Sequence, residues 1–127
     1  MRIALTVLKA LGDETRLRML LALRQGRELC VCQLIALLEL APSTVSKHLS
    51  VLHAARLLER RKDGRWIYYR FDTAELDETL RQAVALALDG ADMGARVAED
   101  RRKLKKVCAE NMESLCERLF GQAKEDA

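Results

Sequence analysis

Apolar residues along this chain recur at helical spacing over most of its length, and the period changes once. Ile3, Val7, Leu8 and Leu11 fall three or four residues apart until Gly12 interrupts them. Asp13 followed by Glu14 is a helix-start signature, and the second helix it opens carries Leu17, Leu20, Leu21 and Leu23 toward Gly26. A third helical pattern runs from Cys30 to Leu40 with Leu34, Leu37 and Leu38, and stops before Ala41-Pro42. Proline is tolerated at the first helical position, so Pro42 opens a fourth helix with Val45, Leu49, Leu52 and Leu57 or Leu58 on its inner side. Two helices joined by so short a turn form a helix-turn-helix candidate.

After Leu58 the period shortens. Lys62-Asp63-Gly64-Arg65 precedes the run Trp66-Ile67-Tyr68-Tyr69-Arg70-Phe71, and Asp-Gly between β-formers is a strong hairpin signal. Trp66, Tyr68 and Tyr69 alternate along that strand as packing residues. Asp72 with Glu75 three residues on resembles a capping arrangement for a fifth helix carrying Leu76, Leu80, Val84 and Leu88. Beyond Gly90 and Gly94, one long polar helix is expected from Ala95 to Phe120, striped by Leu104, Cys108, Met112, Leu115 and Leu119. The expected fold is mainly α with a small β-hairpin: a winged helix-turn-helix over residues 1–90 and a C-terminal helical extension over 91–127.

With 127 residues, half of them hydrophobic and 32% charged, the chain suits one compact domain. The formal net charge of +3 says little, but Lys and Arg gather at 56–70 and 96–106 and allow a basic face without a basic protein. The apolar run Ile3–Leu11 is too short for a membrane span or a signal peptide, which places the chain in the cytoplasm with no membrane partner. Four cysteines at 30, 32, 108 and 116 without a secretory signal are expected as reduced thiols.

In helix-turn-helix docking the N-terminal part of the second helix meets base edges. Ser43, Thr44, Ser46, Lys47 and His48 occupy that stretch. Ser and Thr also favour helix starts for capping, so these residues carry the assignment only together with the basic hairpin. There Arg60, Arg61, Lys62 and Arg65 surround a tight turn suited to the phosphate backbone or minor groove. His48 and His53 read as surface or phosphate-contact residues rather than metal ligands.

From Leu8 to Phe71 the chain resembles the ArsR/SmtB family of bacterial metal- and metalloid-sensing repressors. The matching pieces are Leu11-Gly12-Asp13-Glu14-Thr15-Arg16, Glu28-Leu29-Cys30-Val31-Cys32-Gln33-Leu34, Ser43-Thr44-Val45-Ser46-Lys47-His48-Leu49, and Asp63-Gly64-Arg65-Trp66 with Tyr68-Tyr69. Cys-Val-Cys is most similar to the arsenic-repressor branch, where it supplies thiolates to trivalent arsenic or antimony. Cadmium and lead sensors of the family use a similar pair. The best-known arsenic repressors carry a third cysteine where this chain has Ile35. The N-terminus lacks the cysteines of the cadmium and lead branch, and 73–88 lacks the histidines of the zinc and nickel branch.

What the resemblance implies is a homodimeric repressor that needs no cofactor to bind operator DNA and leaves it when As(III) or Sb(III) occupies a site on Cys30 and Cys32. Two recognition helices would read half-sites about one helical turn apart, with the first and fifth helices as the dimer interface. Soft thiolates favour such ions over magnesium or calcium. Residues two apart on a helix point roughly 200° apart, so Cys30 and Cys32 are expected to grip one ion only if that turn unwinds. Cys108 and Cys116, about 12 Å apart along an unbroken helix, are candidates for the third ligand, one ligating and one a bystander or part of a second weak site.

Competing readings remain open at this stage. The same fold could answer to cadmium or lead, or to oxidants through a disulfide on Cys30. An enzyme is disfavoured: Cys-x-Cys is not the Cys-x-x-Cys redox motif, and neither a phosphate-binding loop nor an acid/base cluster accompanies it. No organic cofactor is expected. A protein-interaction module built on the C-terminal helix is a further possibility, separable by the steep salt dependence of DNA binding.

Overall fold

The computed structural model describes residues 1–24 and 27–125, with side-chain surroundings given through residue 120. The elements run α1 (Arg2–Leu11), α2 (Glu14–Leu23), β1 (Glu28–Cys30), α3 (Val31–Leu38), α4 (Pro42–Ala54), β2 (Leu58–Asp63), β3 (Trp66–Phe71), α5 (Glu78–Ala91), α6 (Ala95–Ala109) and α7 (Met112–Glu125). Three strands form one antiparallel sheet in the order β1-β3-β2. This is the expected winged helix-turn-helix, mainly helical, with one more strand than the hairpin alone.

Local chemistry accounts for most boundaries. Gly12 ends α1, and the Asp13 carboxylate caps α2 by accepting from the Arg16 amide at 3.1 Å. Pro42 sits in the first turn of α4, where its missing N–H costs nothing. Gly64 is the first residue of the two-residue hairpin turn at φ +61°, a conformation strained for any residue with a Cβ. Asp63 is the last strand residue and not part of the turn.

Four boundaries differ from the sequence reading. Leu57 and Leu58 are buried but follow α4, which ends at Ala54 before Arg56 turns the chain at φ +63°. The fifth helix starts later: Asp72 caps a turn through the Ala74 amide, while Asp77 accepts from the Leu80 amide and begins α5 at Glu78. The third helix starts at Val31, because Leu29 and Cys30 pair with Tyr69 and Tyr68 on β3. The long C-terminal helix is two helices, since Asn111 accepts from the amides of Glu113 and Ser114 at 2.9 and 3.2 Å and starts α7 anew. Gly26, the expected end of the second helix, lies outside the described residues; α2 ends at Leu23.

The main core gathers α1 through α5 around Met19, Leu20, Leu34, Leu49, Leu52 and Leu88. A smaller cluster joins Cys30, Cys32, Val107 and Leu115, with Trp66, Tyr68, Met112 and Cys116 packed against it. α6 is tied to α2 by Arg18, whose guanidinium donates to both oxygens of Asp100 at 2.8 and 2.9 Å with both side chains largely shielded from water. Lys103 on α6 also reaches Glu39, the left-handed residue that ends α3, at 2.8 Å. Among the described residues no helix is long and apolar enough to cross a membrane.

Shielded charge-assisted bonds are costly to break from one side. Asp100→Asn is therefore expected to destabilise the protein by about 2–3 kcal/mol in urea unfolding. Glu99→Gln, which removes an exposed pair with Arg96, should cost less than about 0.5 kcal/mol.

Candidate functional site

Three of the four cysteines meet. Cys30 ends β1 in an extended conformation (φ −77°, ψ 155°) at the N-cap of α3, and Cys32 is the second residue of that helix. The Gln33 side-chain oxygen accepts from the Cys30 amide at 2.9 Å and fixes this junction. α7 packs back against α3 and brings Cys116 in from the far end of the chain. The sulfurs of Cys30, Cys32 and Cys116 all lie within 4.8 Å of one another.

This arrangement corrects the expected geometry in two respects. With Cys30 on a strand and Cys32 in a helix, the opposed directions of two residues on one helical turn do not arise, and unwinding is not needed to bring their sulfurs together. The break at Asn111 likewise removes the axial separation of Cys108 and Cys116 as a constraint. Cys108 falls outside the cluster, exposed on α6, where Arg27 donates to its sulfur at 3.4 Å. The apolar stripe of α6 passes through Val107 instead.

The expectation of reduced thiols also changes. Cys32 and Cys116, with Cα atoms 5.6 Å apart, are joined as a disulfide, whereas Cys30 remains a free thiol only 1% exposed. Burial pushes the Cys30 thiol above its ordinary pKa, and hydrogen bonds from the backbone of Cys32, Val31 and Ile67 offset only part of this. An ion with metal–sulfur bonds of ~2.3 Å holds its sulfurs roughly 3.5–4 Å apart. The reduced cluster needs only small side-chain movements to reach that spacing.

The wing shares a wall with the thiols. Tyr68 on β3 stands in register between Cys30 on β1 and Arg61 on β2. A cleft of about 620 Å³ is bounded by the three cysteines, Trp66, Arg65, Glu113 and Ser46 of α4. Arg65 stacks on Trp66 with its guanidinium 5.1 Å from the ring centre, and pairs at 2.5 Å with Glu113, one turn before Cys116 on α7. Arg61 lies over Tyr68 at 4.7 Å and pairs with Glu28 at 2.5 Å, which holds the Glu28 carboxyl below its usual range.

The remaining candidates for nucleic-acid contact spread over one end of the molecule. Ser43, Thr44, Ser46 and Lys47 are exposed on the first turns of α4, and Lys62 is exposed on the wing. His48 is half-buried, with its Nδ1 at 3.2 Å from a guanidinium nitrogen of Arg16. Sequence reasoning missed Gln33, Glu113 and the pairing partner Glu28. Cys30-Val31-Cys32-Gln33 has the spacing of a capping box with cysteine in the cap position, and Asn111 followed by Glu113 is itself a helix-start pattern. Both signals were available.

Residues 13–60 match the sequence model of a family described as bacterial regulatory protein, arsR family. Over 64 residues the chain is 47% identical to the arsenic resistance transcriptional regulator ArsR1 of Pseudomonas putida, a match covering half of each protein. The chain spans about half the length of the first curated relatives it matches. Among solved structures, HlyU from Vibrio cholerae superposes with a TM-score of 0.55 at 32% identity, covering 67% of this chain and 91% of that one. The AntR antimony-specific transcriptional repressor superposes with a TM-score of 0.54 at 32% identity, covering 69% of this chain and 76% of that one.

Thiol titration tests the cysteine arrangement. In air-oxidised protein one thiol should react quickly and disappear in Cys108→Ser, a second should appear only on unfolding, and all four only after reduction. More than two reactive thiols in the unfolded, unreduced chain would rule out the Cys32–Cys116 bond.

Proposed function

This chain belongs to the ArsR family of bacterial regulatory proteins, and from that premise we propose that it is a homodimeric, DNA-binding transcriptional repressor released from its operator by trivalent arsenic or antimony bound to Cys30, Cys32 and Cys116. The observation that carries the reading is the convergence of three sulfurs from a strand end, a helix start and a distant helix. Soft sulfur ligands suit such ions and disfavour magnesium or calcium. The arsenic and antimony named in relatives' descriptions support the same ligand class.

The chemistry balances without an oxidant. The Cys32–Cys116 bond is first opened by a dithiol reductant, which is itself oxidised to its disulfide. Each of the three thiols then displaces one hydroxyl of arsenous acid, the thiol proton leaving with the hydroxyl as water. Three sulfur–arsenic bonds replace three oxygen–arsenic bonds.

Coupling to DNA runs through α7. When Cys116 is held against Cys30 and Cys32, Glu113 is held beside Arg65 and occupies a wing cation that would otherwise meet phosphate. Both groups are exposed, so the pair is cheap to exchange for a DNA contact once α7 is free. Coupling of ~1–3 kcal/mol is typical, and DNA must weaken the metalloid by the same factor. In this division residues 1–90 meet DNA and 91–127 complete the sensor. Ile3, Leu5 and Leu8 on α1 and Leu86 on α5 are exposed apolar side chains suited to the dimer interface.

A second reading is favoured by one observation. The Cys32–Cys116 disulfide also holds α7 in place, so peroxide, taking two electrons and two protons from these thiols and leaving as water, would release DNA by the same route.

Fluorescence anisotropy of the reduced protein on the DNA upstream of its own gene tests the proposal. Arsenite should release the wild type and Cys108→Ser but not Cys30→Ser, Cys32→Ser or Cys116→Ser. Glu113→Gln should still bind arsenite while the release factor falls about fivefold. Salt-sensitive DNA binding that ignores arsenite but yields to cadmium, lead or peroxide would replace the trigger and leave the repressor assignment standing.

A further inference from the structure

Arg16, the last residue of the Leu11-Gly12-Asp13-Glu14-Thr15-Arg16 segment, has no part in the thiol site, yet its guanidinium joins the end of α1 to α4. Its Nε donates to the Ala10 carbonyl at 2.7 Å and its Nη2 to the Lys9 carbonyl at 3.1 Å. Both acceptors belong to the last turn of α1, where the dipole favours a cation, and the Lys9 carbonyl also accepts from the Gly12 amide that closes the helix. The guanidinium is thereby clamped, with its side chain 17% exposed, and Nη1 lies 3.2 Å from Nδ1 of His48.

A guanidinium has only N–H donors and does not lose its proton. The nitrogen facing it must therefore offer a lone pair, because an Nδ1–H would meet Nη1–H head-on. A neutral imidazole that accepts at Nδ1 carries its proton on Nε2. Among the described residues Nε2 has no hydrogen-bond partner and is not fully buried, so it is reached by solvent. His48 lies one helical turn after the exposed Thr44, on the same side of α4.

We propose that Arg16 is a positioning residue for DNA reading: by holding His48 in its Nε2–H tautomer it makes the recognition helix present a fixed N–H donor to an acceptor atom of the DNA. The inference rests on the DNA-binding reading above. Ser43, Thr44 and Ser46 can each donate or accept and so discriminate weakly alone. A tautomer-locked imidazole only donates, and one acceptor in the operator becomes obligatory. That acceptor is a base edge or a phosphate oxygen, and the chemistry is the same for both.

Two measurements on the reduced full-length protein test this. Long-range ¹⁵N correlation spectra of the free protein should show His48 as the Nε2–H tautomer, with mixed tautomers in Arg16→Leu; circular dichroism and melting monitor the fold of that variant. DNA is then titrated with single acceptors removed, using deazapurines for N7, deoxo bases for carbonyl oxygens and methylphosphonates for phosphate. One replacement should weaken the wild type about tenfold and leave His48→Leu unaffected, and His48→Gln, which restores an N–H at similar reach, should recover the sensitivity.

A loss at a base position assigns the contact to the groove edge, and a loss at a methylphosphonate assigns it to the backbone; either supports the inference. An Nδ1–H tautomer, or equal losses in wild type and His48→Leu at every position, overturns it while DNA binding stands. A reduced wild type with no salt-dependent DNA affinity overturns the DNA-binding reading and this inference with it.

Discussion

Arg18 and Asp100 meet through two hydrogen bonds where water scarcely reaches, and the course of the last third of the chain follows from that contact. The pair joins α2 to α6 across 82 residues of sequence. With α6 fixed there, Lys103 reaches the end of α3, the chain breaks at Asn111, and α7 lies along α3 beside the base of the wing. Cys116 and Glu113 are thereby carried close to their partners, and the sulfur contacts and ion pair made there complete the docking of α7. Their own ion pair and sulfur contacts are short-ranged and partly exposed.

The thiols and the wing cations meet along one strand, β3. Tyr68 is paired along the sheet with both Cys30 and Arg61, so sulfur, ring and guanidinium line one face, and Trp66, two residues before it, carries Arg65. Under the proposed function, a change in how tightly α7 is bound reaches the wing cations through this strand and the Arg65–Glu113 pair. Wherever two groups share a rigid rung of a sheet, displacement is transmitted with little loss, since stretching the ladder costs several backbone hydrogen bonds together.

Much of this architecture was legible in the sequence. Gly12-Asp13, Ala41-Pro42 and Asp63-Gly64 punctuate helical and strand periods clearly, and Val45, Leu49 and Leu52 are buried as their spacing implied. The third sulfur was harder to place. β1 has three residues, too few for a period, and its strand character comes from pairing with β3. The break at Asn111 was hidden because apolar residues continue at a spacing of three and four on both sides of it. Cys108 and Cys116 looked equivalent on one helix and part company once the helix divides: Cys116 turns inward while Cys108 sits beside Arg27 in solvent. The wing cations stood out at once, but the acids that neutralise them, Glu28 and Glu113, come from segments far off in sequence.

The third sulfur sits 84 residues beyond its partner, past every residue proposed to face DNA. A ribosome therefore finishes the part that grips before it finishes the part that lets go. Under the proposed function, a message or protease that ends the chain between Ala109 and Cys116 yields a repressor that cannot be induced, and as a partner in a mixed dimer it would silence full-length copies as well. Loss of the tail then holds the operator shut and loss of the recognition helix leaves it open, so a population under metalloid stress would purge the first kind of lesion faster than the second.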